Sequence, residues 1–234
     1  MIAYGTMSVN SETVSFTALP DALTPYLTVT LQRLAHNRGK EYNKNMDIIL
    51  ASQSPRRREL MELIGLPFRV EVSHVEENVP VGTGPAETVK LLALQKAQAV
   101  AKLYPNACII GADTIVDHDG VIFGKPHTPE KAKEYLNTLS GKTHTVHTGL
   151  AVITPDGTDV RTDETRVTFA QLTPGEIDAY VASGDPLDKA GSYGIQGPFG
   201  VHVPHIEGSY FNVIGLPVHL LYAMLTDNGV IPKP

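Results

Sequence analysis

An α/β fold built on a mixed sheet is what the sequence predicts, on three observations. From Asp47 onward, short apolar runs alternate with stretches of helical periodicity. Three of the helical stretches open on a hydroxyl residue followed by proline, at Ser54-Pro55, Thr128-Pro129 and Thr173-Pro174, and close at Gly65, Gly141 and Gly184. That is the cap, proline and glycine order of helix starts and stops. Finally, a long period-two stretch is broken at Pro155-Asp156-Gly157, a turn that folds two strands back antiparallel, so the sheet cannot be all parallel.

The elements follow in order. Met1 to about Asn45 reads as an extension: a polar Ser/Thr-rich arm, then one helix around Leu27–Ala35 that ends at "HNRGKEYNKN". The remainder, 46–234, reads as one domain. "DIILA" is a short buried strand, and "SPRRRELMELIG" a helix with Ser54 as N-cap and Pro55 in the first helical position. "FRVEV" alternates like a strand, and "AETVKLLALQKAQAVAKLY" is a long helix of strong formers. "ACIIGADTIV" is an apolar strand holding one acid. A capped helix at "HTPEKAKEYLNTLSG", the long hairpin and a further capped helix at "LTPGEIDAYVASG" come next. A glycine-rich segment leads to a final helix at "LPVHLLYAML".

Composition narrows the function classes. The chain has 234 residues, 42% hydrophobic and 19% charged, enough for one substantial core and marginal for two. A net charge of -6 argues against a broad basic surface for nucleic acid. Cys108 is the only cysteine, which fits a reducing compartment. No apolar run reaches the roughly 18 residues of a membrane span. The first 20 residues hold no Lys or Arg, against a secretory or transit leader, so the cytoplasm is the expected location.

Several charges stand where charge is unexpected. Leu60, Met61, Leu63 and Ile64 define the apolar face of the first capped helix, and Arg56 and Arg57 stand one turn before Leu60 and Met61. Arg58 aligns with Glu62 as an exposed i,i+4 pair. Two inward arginines at a helix N-terminus, the positive end of its dipole, need an anion: a phosphate from outside or a carboxylate from within. In the long helix, Lys96 interrupts a seam of Val89, Leu92, Val100 and Leu103, and must reach solvent or pair with a carboxylate. Asp113, inside an otherwise apolar strand, must be paired or bind metal. Lys125 sits in a Gly-x-Pro turn, and Glu76 and Glu77 are adjacent acids after a strand. Each has an ordinary explanation alone. Together they form the inventory of a metal–polyphosphate site.

Other signals are set aside. "SGKT" at Ser140–Thr143 ends a helix instead of opening one and lacks the first glycine of a phosphate loop. His144 and His147, three apart on a strand, face opposite sides and cannot share a metal, and His202 and His205 meet the same objection. "GSYGIQG" lacks the strand-before, helix-after context of a dinucleotide fingerprint.

The blocks "LASQSPRRRELM", "GADTIV", "GKPHTPEKAKEYLNTLSGKTHTVHTGLAV", "DPLDKAGSYGIQG" and "IEGSYFNVIGLPV" together resemble the Maf family of nucleoside triphosphate pyrophosphatases, from about Asp47 to about Leu225. The extension lies outside the resemblance. It implies a two-lobed fold like that of the inosine triphosphate pyrophosphatases, with a cleft between the lobes. It implies a Mg²⁺- or Mn²⁺-dependent release of pyrophosphate from a nucleoside triphosphate, and it suggests a homodimer. By position, Asp113 matches the family's proton acceptor, and Ser52, Arg57, Lys96 and Lys125 match polar and basic groups of the cleft. Glu77 matches an acid that helps hold the metal together with Asp113. Arg56, Thr114 and Gln196 match positions tied to base preference, and Arg, Thr and Gln there resemble the dTTP/UTP branch rather than the 7-methyl-GTP branch.

Residues and resemblance agree on a mechanism in which Asp113 orients or deprotonates a water that attacks phosphorus, with metal, Lys and Arg stabilising the developing charge. A nucleotide-sensing regulator without turnover is the alternative of a different class, and a sensor needs no water-activating acid. A nucleic-acid-binding role is weaker still, since no basic–aromatic interleaving is present.

Overall fold

The computed structural model describes residues 5–9, 12–16, 46–73 and 75–232. The helix expected around Leu27–Ala35 lies outside them. Within the amino-terminal arm, β1 (Gly5–Val9) and β2 (Glu12–Phe16) pair as an antiparallel hairpin. The hairpin belongs to one compact unit and residues Asn43–Ile231 to another.

The second unit alternates strand and helix: β3 (Ile48–Ala51), α1 (Pro55–Glu62), β4 (Arg69–Val70), α2 (Pro85–Ala101), β5 (Cys108–His118), β6 (Val121–Phe123) and α3 (Pro129–Leu139). The hairpin β7 (Thr143–Thr154) and β8 (Gly157–Thr168) follows, then α4 (Pro174–Ala182), β9 (His205–Glu207), α5 (Tyr210–Ile214) and α6 (Val218–Asp227). The seven-stranded sheet runs β4-β3-β5-β7-β8-β9, with β6 paired to β5. β3 is parallel to β4 and β5, and the other pairings are antiparallel, so the expected mixed sheet is present.

The caps do what the sequence implied. Ser54, Thr128 and Thr173 each accept a backbone N–H of the first helical turn, and Thr173 with Glu176 completes a capping box. Arg58 and Glu62 approach to 3.9 Å. Two apolar assignments fail. Leu63 is 60% exposed and Leu103 71%, because α1 stops at Glu62 and α2 at Ala101, and the helical phase ends before either side chain. "FRVEV" pairs only over Arg69–Val70, an exposed sheet edge.

Long strands thread two cores. On one face of the sheet, Cys108, Ile110, Ala112, Leu150 and Val152 pack with Leu60 and Met61 of α1 and Leu221 and Met224 of α6. Farther along the same face, Val116, Val146 and Val167 pack with Leu136 and Leu139 of α3 and Ile177 and Val181 of α4. These are the two lobes. The register row between them is Thr114 opposite Thr148, a polar break in an apolar face. The opposite face carries α2, whose Ala93, Ala97 and Val100 cover Ile109 and Ala151. Gly111 and Gly149 make that approach possible, since a Cβ on either would overlap the α2 backbone at Ala93 or Val89. Among the described residues, no helix is long and apolar enough to cross a membrane.

Candidate active site

Where the two cores part, a cavity of about 630 Å³ opens. Its lining includes Ser52, Arg56, Arg57, Glu77, Lys96, Asp113, Thr114, Lys125 and Gln196, so the fold brings every candidate side chain to one space. Glu76, the other acid of that pair, is exposed and does not line it.

Asp113 and Lys96 form the centre of one wall. Asp113 lies on the α2 face of β5, opposite Gly149. Lys96 lies on α2 one turn from Leu92 and Val100, both buried. The side chains are 14% and 15% exposed, and Lys96 Nζ donates to Asp113 Oδ1. The same ammonium stands 2.9 Å from Glu77 Oε1 on the preceding loop. Of the two outcomes open to a seam lysine, this one pairs, and with two carboxylates at once.

Arg57 is held differently from either expectation. Its Nε donates to the Gly215 carbonyl at 2.8 Å, Nη1 to the Ala112 carbonyl at 2.9 Å and Nη2 to Thr114 Oγ1 at 3.0 Å. The guanidinium is thus caged by neutral acceptors, with two of its five N–H groups left over among the described residues. Burial pulls its pKa below the ordinary arginine value; Asp113 opposes that shift and Arg56 adds to it. Among the described residues, Arg56 reaches only Asp188, with Nη1 3.5 Å from Oδ2. Ser52 Oγ accepts from the Ser54 N–H at 3.2 Å, tightening the turn that leads into α1.

A protein-family model described as Maf-like protein matches residues 47–228. The chain belongs to the Maf family. A relative from Bacillus cereus named dTTP/UTP pyrophosphatase is 53% identical over 191 residues, covering 82% of this chain and 94% of its own. One from Bacillus anthracis with the same name is 55% identical over 183 residues, covering 78% of this chain and 96% of its own. Among solved structures, the Staphylococcus aureus Ham1 protein aligns with a TM-score of 0.46 at 16% identity, over 78% of this chain and 99% of that one.

Within the same cavity lining, this Maf chain builds a second charged cluster that the sequence reading did not single out. Lys189 Nζ donates to the Asp185 carbonyl at 2.6 Å, to Asp185 Oδ1 at 2.9 Å and to Asp188 Oδ1 at 2.8 Å, which uses all three of its protons. Tyr180 donates to Asp185 Oδ2 at 2.6 Å and accepts from the Gly194 N–H at 3.1 Å. Burial raises the Asp185 pKa, but the Tyr180 and Lys189 bonds outweigh it and leave the carboxyl below its usual range. Asp188 is shifted down likewise, burial again being outweighed by Lys189 and Arg56. The signal was present in "DPLDK", three charges just before the glycine-rich loop that carries Gln196.

No group of three or more His, Cys, Asp or Glu that could hold a metal ion occurs among the described residues. Two carboxylates, Asp113 and Glu77, do converge on one ammonium. An oxygen-only pair fits a hard ion such as Mg²⁺ or Mn²⁺, which takes its remaining ligands from water and substrate phosphates.

Proposed function

We propose that the chain hydrolyses nucleoside triphosphates, dTTP and UTP in preference, to the monophosphate and pyrophosphate. One observation carries the reading: Asp113, held by Lys96, faces a cavity whose other walls present Arg56, Arg57, Lys125 and the α1 N-terminus. A carboxylate with cations around a polyphosphate-sized space is suited to activating water beside a charged leaving group. The names of the relatives supply the substrates.

In this mechanism Asp113 accepts a proton from water as the water oxygen bonds to the α-phosphorus. The bond from that phosphorus to the bridging oxygen breaks, and pyrophosphate leaves with the electron pair. Lys96 keeps Asp113 in place and, with Lys125, the spare N–H groups of Arg57 and the Arg56 backbone N–H in the first turn of α1, neutralises charge on the phosphate oxygens. Glu77 and Asp113 would hold a divalent cation, which when bound draws charge off the phosphate oxygens. Arg56, Thr114 and Gln196 face the nucleoside end. No hydrogen bond from the Gln196 amide is made among the described residues, which leaves its donor and acceptor free for an imide edge.

The test is anion-exchange analysis of products from dTTP, UTP, CTP, GTP and 7-methyl-GTP with Mg²⁺. Pyrophosphate and monophosphate in equal amounts are expected, fastest from dTTP and UTP. Nucleoside diphosphate would place cleavage at the γ-phosphate, and binding without turnover would make the chain a sensor.

A further inference from the structure

We propose that Thr148, fully buried behind the cavity wall, fixes the hydrogen-bond polarity of Thr114 and so selects a base carrying an imide N–H; the inference rests on the pyrophosphatase reading above. Thr114 Oγ1 accepts from Arg57 Nη2 at 3.0 Å and lies 2.9 Å from Thr148 Oγ1. Thr148 Oγ1 in turn lies 3.1 Å from the Asn212 carbonyl oxygen. A carbonyl only accepts, so Thr148 gives its single proton to Asn212, and its bond with Thr114 forms only with Thr114 as the donor. Thr114 is left with one lone pair, and no proton, for the cavity. Reversing the relay breaks the buried bond to Asn212, a bias on the order of tenfold.

What meets that lone pair follows from the substrate. Phosphate oxygens at neutral pH offer acceptors, so the donor belongs to the nucleoside. The surroundings decide which part of it. Val116 and Val146 form the next register row on the same face, and Val213 and Ile214 line the same cavity. Such walls suit a flat ring better than ribose hydroxyls, which would lose water there without a partner. Uracil and thymine present an imide N–H where cytosine presents a lone pair. An acceptor-only Thr114 therefore pairs with the first two and opposes the third.

The experiment compares full-length wild type, Thr148→Val and Thr148→Ser on UTP, CTP and 3′-deoxy-UTP by kcat/KM. Calorimetric Kd values for α,β-imido analogues keep the result independent of turnover. Valine preserves shape and removes the relay, while the Asn212 carbonyl keeps the Gly215 N–H at 3.0 Å. Thr148→Ala replaces it if the valine variant does not fold. The preference for UTP over CTP is expected to fall by on the order of tenfold in Thr148→Val and to persist in Thr148→Ser, with the UTP to 3′-deoxy-UTP ratio unmoved. A wild type without UTP preference, an unchanged ratio in Thr148→Val, or a uniform loss on all three nucleotides overturns the proposal. So does an effect confined to 3′-deoxy-UTP, which would put the ribose at Thr114. Failure of wild type to release pyrophosphate from any triphosphate refutes the pyrophosphatase reading instead, and the Kd ratios still decide the role of Thr148.

Discussion

Asp113 and Arg57 are both inward charges, yet the structure treats them in opposite ways. Asp113 shares Lys96 with Glu77 at the cavity wall, so its removal costs chemistry. Asp113→Asn keeps the shape and is expected to lower kcat by at least about 10²-fold with little change in melting temperature. Arg57 instead ties α1 to the carbonyls of Ala112 and Gly215. Arg57→Lys cannot reproduce a planar fork that reaches three acceptors. It is expected to cost about 2–4 kcal/mol in urea unfolding, since charged hydrogen bonds are lost and a buried charge is left poorly paired. An Arg57→Lys enzyme of unchanged stability would show that this guanidinium serves substrate alone. Spacing along the sequence located both residues on the buried side. It could not tell an anion clamp from a carbonyl tie, because Gly215 lies 158 positions away and backbone acceptors leave no trace in side-chain chemistry.

At the scale of elements, the site depends on how closely α2 approaches the sheet. Gly149 lies opposite Asp113, and a Cβ there would overlap the Val89 carbonyl of the helix that carries Lys96. Gly149→Ala is therefore expected to destabilise by about 1–3 kcal/mol and also to lower kcat, because moving α2 withdraws Lys96 from Asp113. Denaturant unfolding and steady-state kinetics read the two effects separately. Most elements were legible because each announces itself: prolines after caps for α1, α3 and α4, and Pro155-Asp156-Gly157 for the hairpin. β6, β9 and α5, of three to five residues, are too short to show a period. α5 mattered nonetheless, for it supplies the Asn212 carbonyl to Thr148.

Taken whole, the molecule carries an acid-sensitive group remote from the Asp113–Lys96 pair. His144 is buried, with Nε2 2.9 Å from the Tyr193 hydroxyl. Burial, with His118 adding to it, lowers its pKa to about 3. An unfolded histidine titrates near 6.5, so below that pH the unfolded chain takes up a proton that the folded chain refuses. Stability should fall as pH drops from about 6.5 toward 3, by about 2 kcal/mol between pH 8 and pH 5 from this group. His144→Gln should remove that component from the pH dependence of urea unfolding. Asp185 and Asp188 are shifted down as well, but as carboxylates they lose their contribution only below about pH 4, so between about pH 6.5 and 4 the histidine acts without them. Deleting residues 1–44 is expected to leave turnover in place, as all proposed site residues follow Asp47; a folded but inactive truncate would assign the arm a part in catalysis. The unbroken strands have a mechanical consequence as well. β5 and β7 pass through both lobes without interruption, so neither jaw can swing while the ladder holds. The cleft is then a fixed gauge, and substrates are sorted by fit rather than by closure. Hydrogen exchange offers the measurement: amides from Ala112 to Val116 should open only when the whole unit unfolds, with or without nucleotide, at the full free energy of unfolding.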